Sequence, residues 1–281
     1  MNALHTLQPI YSMAGFTVGI LVGLTGIGGG SLMTPLLILL FGIHPATAVG
    51  TDLLHAAVTK SAGSLVHGLN RTIDWRVVRW LAAGSIPMTV LTMSALSALD
   101  IHGAVARDLI NAVLTAALLI TAVTLVFRDR IIARYAARMS ALDDKHVAAL
   151  TVLLGAVVGT IVSISSVGAG AIGVTALVLL YPNLPTARIV GSDIAHAVPL
   201  TLVAGIAHWL LDSIDLQVFI SLILGSVPGI LLGSYAAARV PERALRVTLA
   251  VTLFVVATKM SFGLFTPSSP DVVAAKTIAP K

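Results

Sequence analysis

The sequence predicts an all-α polytopic membrane protein made of two inverted repeats, each a glycine-broken hairpin, re-entrant or short, followed by three spanning helices. Three observations carry this. Hydrophobic residues make up 57% of the 281 and charged residues only 10%, with a mean hydropathy of +0.99, the composition of a chain that lives in lipid. Apolar stretches of spanning length recur from one end to the other. The two halves also align with each other.

The first repeat, residues 1–127, opens with "MNALHTLQP", which has no Lys or Arg, so the charged start of a cleaved signal peptide is missing and the first apolar segment is expected to stay. Stretch 9–41 is too long for one span and short for two, and "GIGGGS" interrupts it. It reads as a hairpin. Stretches 46–69, 77–99 and 103–127 each suit one helix across a bilayer, for which about 20 residues are needed. A basic linker, 128–146, follows. The second repeat, 147–263, runs in the same order: a long stretch 147–181 broken by "SVGAGAIG", then spans 188–211, 217–237 and 244–263. The tail 264–281, rich in Pro and Ser, reads as flexible.

Shifted by 141 positions, Ala46 to Leu91 align with the second half without a gap, 16 of 46 positions identical, against about 4 or 5 for so biased a composition. The matches include Gly50 with Gly191, Asp52 with Asp193, His55 with His196, His67 with His208, Asp74 with Asp215 and Pro87 with Pro228. Apolar bias does not produce such pairs. Cytoplasmic loops are enriched in Lys and Arg. The linker holds Arg128, Arg130, Arg134, Arg138 and Lys145, which places it inside, together with the loop of Arg71, Arg76 and Arg79. The repeat counterpart of that loop, "LDSIDLQVF", has no positive residue and falls outside. Matching loops on opposite sides are what inversion requires, and both termini then lie outside. Paired broken segments in two halves are the sequence pointer to a transporter's binding site.

Several function classes drop out. Gly26, Gly28 and Gly30 followed by Asp52 imitate a dinucleotide fingerprint, but that motif needs a preceding strand, and "PIYSMAGFTVGILV" reads as membrane helix. With no cysteine, disulfides and thiolate chemistry are excluded. The net charge of +5 comes mainly from loop arginines that orient the chain, so no nucleic acid is expected. No cofactor, no metal site and no ATP-binding motif is expected.

Ionisable residues within spans are costly and are functional candidates. Segment 46–69 holds Asp52, His55, Lys60 and His67 on one broad helix face; segment 188–211 repeats Asp193, His196 and His208, with Thr201 in place of Lys60. Asp52 and Asp193 read as caps of their own helices, with pairing to Lys60 or a histidine, or proton carriage, as the functional alternative. The histidines titrate near neutrality and suit proton coupling, or are hydrogen-bonded structure. Pro87 and Pro228 are expected to kink their helices. His44 and Pro45 read as a turn, and Trp75, Trp80 and Trp209 as interface anchors.

The stretches "GLTGIGGGSLMTPLL" and "HPATAVGTDLLHAAVTKSAGSLVHG", with the weaker echo "VGAGAIGVTALVLLYPNLPTARIVGSDIAHAVPLTLVAGIAHW", resemble the TauE/SafE family of sulfite and sulfonate exporters, over nearly all of residues 10 to 263. The resemblance implies movement of sulfite, sulfoacetate or a related sulfur-containing anion across the cytoplasmic (inner) membrane. For such an oxyanion the useful groups are backbone N–H donors at helix starts, hydroxyls and a cation. Gly28, Gly29, Gly30 and Ser31 open one such helix and Ser166, Gly168 and Gly170 another; Thr51 and Ser192 offer hydroxyls, and Lys60 the cation. The expected partners are a small anionic substrate, membrane lipid, protons as the candidate coupling ion, and in a homo-oligomer a second copy. Two alternatives stay open: a cation/proton exchanger or channel using the paired Asp and His, and an intramembrane aspartic protease sharing a proton between Asp52 and Asp193. No "HExxH" or "GxSxG" motif is present.

Overall fold

The computed structural model describes residues 9–25, 30–139, 142–168, 170–237 and 242–265, and within them every element is helical. The first half supplies α1 (Pro9–Thr25), α2 (Gly30–Phe41), α3 (Pro45–Leu69), α4 (Trp75–Ser97) and α5 (Ala104–Met139). The second supplies α6 (Asp144–Ser165), α7 (Ala171–Leu180), α8 (Thr186–Leu210), α9 (Leu216–Ala237) and α10 (Glu242–Phe265). Among the described residues six helices are long and apolar enough to cross a membrane: α4, α5, α6, α8, α9 and α10. The chain is thus a multi-pass membrane protein.

These six are not the six spans read from the sequence. α3 has the length, at 25 residues, but Asp52, His55, Lys60 and His67 dilute its apolar run. α6 qualifies instead, because it starts at Asp144, ahead of stretch 147–181, and runs unbroken to Ser165, just past the middle of that stretch. The helix continues through Gly155 and Gly159, whose bare Cα atoms let α4 pack directly on its backbone. The two short helices, α2 with 12 residues and α7 with 10, are about 18 and 15 Å long, roughly half of a ~30 Å hydrocarbon core. α5 runs 12 residues past 127 into the basic linker, because "RDRIIARYAARM" is rich in strong helix formers.

Tight packing sets the order of the helices. A Cβ on Gly15, Gly19 or Gly23 of α1 would fall within 2.6 Å of a carbonyl oxygen of α9, at Leu222, Ser226 and Ile230 in turn, so α1 and α9 run parallel with backbones in contact. Gly225, Gly229 and Gly233 of α9 meet α1 in the same way. α4 and α6 repeat the arrangement: Gly84 faces Val152, Gly155 faces Leu81 and Gly159 faces Ser85. α3 and α8 run antiparallel, since Gly50, early in α3, abuts Ser213 just past α8, and Gly191, early in α8, abuts Thr72 just past α3.

Polar junctions close both ends of the α3–α8 pair, with the halves exchanged. The Asp74 backbone N–H donates to Ser192 Oγ at 2.7 Å, and the Asp215 N–H donates to Thr51 Oγ1 at 3.1 Å. Arg188 adds an ion pair to Asp74 at 3.3 Å; its counterpart by the 141-residue shift is Thr47, so the other junction has no matching cation there. A single apolar core joins Leu32, Met33 and Leu37 of α2, Leu114 and Leu118 of α5, Val167 and Ala171 at the second break, and Leu249 and Leu253 of α10.

Candidate functional site between the halves

Asp52 and Asp193 do not cap their helices. Pro45, with its preset φ, starts α3 behind His44, and Pro185 precedes α8, so both carboxylates sit a full seven residues inside. The capping aspartates are the other repeated pair. Asp74 accepts the N–H groups of Arg76 and Val77 at the start of α4, and Asp215 those of Gln217 and Val218 at the start of α9.

Asp52 is wholly buried, and its Oδ2 accepts the Thr34 hydroxyl of α2 at 2.6 Å. His55 follows one turn later; its Nε2 lies 2.7 Å from Ser226 Oγ on α9, and its Nδ1 3.7 Å from Asp52 Oδ1. In the second half His196 Nε2 meets Ser85 Oγ of α4 at 2.8 Å, the same bond with the halves exchanged. Asp193 lies against α7, where a Cβ on Gly173 would come within 2.6 Å of its Oδ1. Lys60 is half-buried and within electrostatic reach of Asp193, Asp52 and His196.

The protease alternative fails on geometry. Ile194, next to Asp193, packs on Gly63, eleven residues beyond Asp52 along α3, about 16 Å by the helical rise. Two carboxylates so placed share no proton. Among the described residues no group of three histidine or acidic side chains is arranged to hold a metal ion.

Of the groups expected to meet an anion, Gly28 and Gly29 lie outside the described residues. Gly30 begins α2, and Ser31, beside it, is buried. At the second break Ser166 adopts the left-handed conformation at φ 58°, Gly168 has φ 118°, and Gly170 precedes α7 with no side chain to cap it. Ser166 is buried, and its Oγ has no hydrogen-bond partner. Thr51 and Ser192 sit apart from the breaks, their hydroxyls committed to the junction loops; Ser192 also donates to Arg188 O at 2.7 Å. His208 Nε2–H donates to Ser163 O at 3.0 Å, and His67 Nδ1 pairs with Thr72 Oγ1 at 2.8 Å, both at the α3–α8 ends.

The profile of the family described as Sulfite exporter TauE/SafE matches residues 11–260, which includes both hairpins and every polar pair above. The chain belongs to the sulfite exporter TauE/SafE family. A relative, the probable membrane transporter protein YjnA of Bacillus subtilis (strain 168), is 38% identical over 251 residues, 88% of this chain and 97% of its own length. The probable membrane transporter protein YdhB of the same organism is 23% identical over 237 residues, 84% and 93% of the two chains. A third, YunE, also described as a probable membrane transporter protein, shares 40% over 70 residues, 25% and 26%. No solved structure matches. TauE/SafE membership makes the chain a membrane transporter.

Sequence reasoning missed Thr34, Ser85, Ser226, Asn111 and Thr115. Ser85 and Ser226 stand in "GSIP" and "GSVP", where the prolines drew attention although the serines also match across the repeat. Asn111 Oδ1 and Thr115 Oγ1 are buried without partners one turn apart on α5, which also packs against the second break through Leu114 and Leu118. An amide inside an apolar span was the available signal.

Proposed function

We propose that the protein is a secondary carrier that exports a small sulfur-containing anion, sulfite, sulfoacetate or a related organosulfonate, across the cytoplasmic membrane by alternating access between two inverted halves, with both termini outside. The observation that carries the reading is the second break. A buried, unpartnered Ser166 hydroxyl sits in a left-handed turn at the end of α6, five residues before α7 starts at Ala171 without a side-chain cap. Free N–H groups and the positive end of a helix favour an oxyanion, and irregular backbone at membrane depth persists where it lines a cavity or is buried in protein. Lys60 adds a cation to the same interior. The antiparallel α3–α8 pair and the exchanged hydrogen bonds support inversion, and the family's own description supports the substrate class.

An inside-negative potential favours anion exit by about 2.3 kcal/mol per charge per 100 mV, so an anion accumulating inside leaves without ATP. The test is counterflow in proteoliposomes with sulfite, thiosulfate, sulfate, sulfoacetate and taurine, with and without a pH gradient. Competition by one of the sulfur anions is the expected result; no movement of any would overturn the substrate class. Asp52→Asn and Asp193→Asn separate this from a cation exchanger, in which substrate binding is lost with the carboxylates. An anion carrier keeps it.

A further inference from the structure

We infer that Asp52 and His55 form a proton-binding pair that links the first hairpin to α9, so that a proton and the anion load together; this deepens the transport reading and rests on it. Both side chains are buried, at 0% and 3% exposure. Each spends one polar atom on a neighbouring element, Asp52 Oδ2 on Thr34 of α2 and His55 Nε2 on Ser226 of α9. Their remaining atoms, Oδ1 and Nδ1, have no hydrogen-bond partner and lie 3.7 Å apart. That gap is too long for a hydrogen bond, and a closure of less than about 1 Å makes one.

We assign His55 the tautomer with its hydrogen on Nε2, the one that uses both hydrogen-bonding roles of Ser226. Ser226 Oγ donates to Ile223 O at 3.4 Å, which leaves its oxygen to accept from His55 Nε2–H. A neutral imidazole with its hydrogen on Nε2 has a bare lone pair at Nδ1, and that lone pair faces a bare carboxylate oxygen. The arrangement is one proton short. A proton arriving from water on Nδ1 converts the contact into a charge-assisted N–H···O bond. The pair goes from one negative charge to none, and no other bond is made or broken. Removing that charge raises the affinity of the interior for an anion.

The second half does not duplicate this. Lys60 acts more strongly on Asp193 than on Asp52, and Thr175 of α7 donates its hydroxyl to Ala171 O instead of to a carboxylate. The charged and titratable groups sharing these helices with the pair are Lys60 and His67 on α3 itself and Arg188, Asp193, His196 and His208 on α8, with Asp193 about 16 Å farther along α3. α2 and α9 contribute the hydroxyls of Thr34 and Ser226, and neither residues 109–127 of α5 nor 147–165 of α6 include a titratable side chain.

The test uses full-length protein in lipid nanodiscs, with nitrogen-15 histidine spectra followed on acidification from about pH 9 to about pH 5. A far-downfield Nδ1–H signal is expected to appear, and to be removed by both His55→Gln and Asp52→Asn but kept in Thr34→Val, which spares both partners. Absence of the signal throughout, or its persistence in Asp52→Asn, would overturn the pair whatever the substrate is. In proteoliposomes, Asp52→Asn, which mimics the neutral pair, should lose pH-gradient-driven sulfite uptake at least about tenfold while keeping sulfite counterflow. His55→Gln, which leaves the carboxylate charged, should weaken both. Wild-type uptake indifferent to the gradient, alongside active counterflow, would overturn the coupling. Failure of the wild type to move any sulfur anion would remove only the substrate reading, since the spectra still judge the pair.

Discussion

Ser166 accepts backbone strain that glycine would not. Left-handed geometry costs a residue with a Cβ about 1 kcal/mol or more, and its buried hydroxyl gains no protein partner in return. Ser166→Gly is therefore expected to stabilise the fold by about 1 kcal/mol, read as a rise in detergent melting temperature, and to weaken competition by sulfur anions in counterflow. A variant neither more stable nor weaker in binding would show that this hydroxyl does nothing for the substrate. Ser85 and Ser226 occupy matched positions and hold His196 and His55 across the halves. Ser226→Ala leaves His55 Nε2 buried and unpaired, a loss of about 1 to 3 kcal/mol.

At the scale of elements, glycine has two distinct uses. Where backbones touch, a side chain has no room: a Cβ on Gly225 would sit 1.8 Å from Ser12 O, and one on Gly84 1.9 Å from Val152 O. Gly225→Leu and Gly84→Leu should each cost on the order of 3 kcal/mol or more, seen as lost expression or a collapsed melting temperature. Gly63 is the control. Its Cβ would rest 3.5 Å from Ile194 Cγ2, an ordinary contact, so Gly63→Ala should be neutral or gain about 0.5 to 1 kcal/mol from helix propensity. The start of α6 adds a pH effect. Asp143 caps the helix by accepting the His146 N–H, and the His146 ring bonded to the same carboxylate holds its pKa below the usual 3.8. For a lowered pKa the cap contributes fully above the unfolded value and is lost as pH falls through the folded one. Amide exchange at Lys145 and His146 should accelerate only below about pH 4, and in Asp143→Ala it should be fast at every pH.

Across the whole molecule, each half supplies the hydroxyl that closes the other half's junction: Ser192 for the loop before α4, Thr51 for the loop before α9. If the halves are inverted, those two loops face opposite sides of the membrane. The chain has no cysteine, so single substitutions report cleanly. In intact cells Asp212→Cys should react with an impermeant maleimide, and Asn70→Cys only after permeabilisation; labelling of both from one side would refute the inversion.

The sequence by itself determined the membrane class and most helix ends, the end of α5 excepted, and it carries the duplication, because apolar run length and a 141-residue echo are local or linear signals. It also pointed to the second break, at "SVGAGAIG", whereas glycines spaced by four, as in α1, α6 and α9, stay helical and serve packing. Only the tertiary structure decided what each polar residue does. Asp52 and Asp74 are both repeated aspartates near a helix start, yet one is buried against α2 and the other caps α4, a distinction set by where Pro45 begins α3. Thr51 and Ser192 read as free hydroxyls until the opposite half arrives to occupy them. Partners separated by more than a hundred residues leave no trace in spacing, so which groups end satisfied and which are left with an open valence is settled by packing alone.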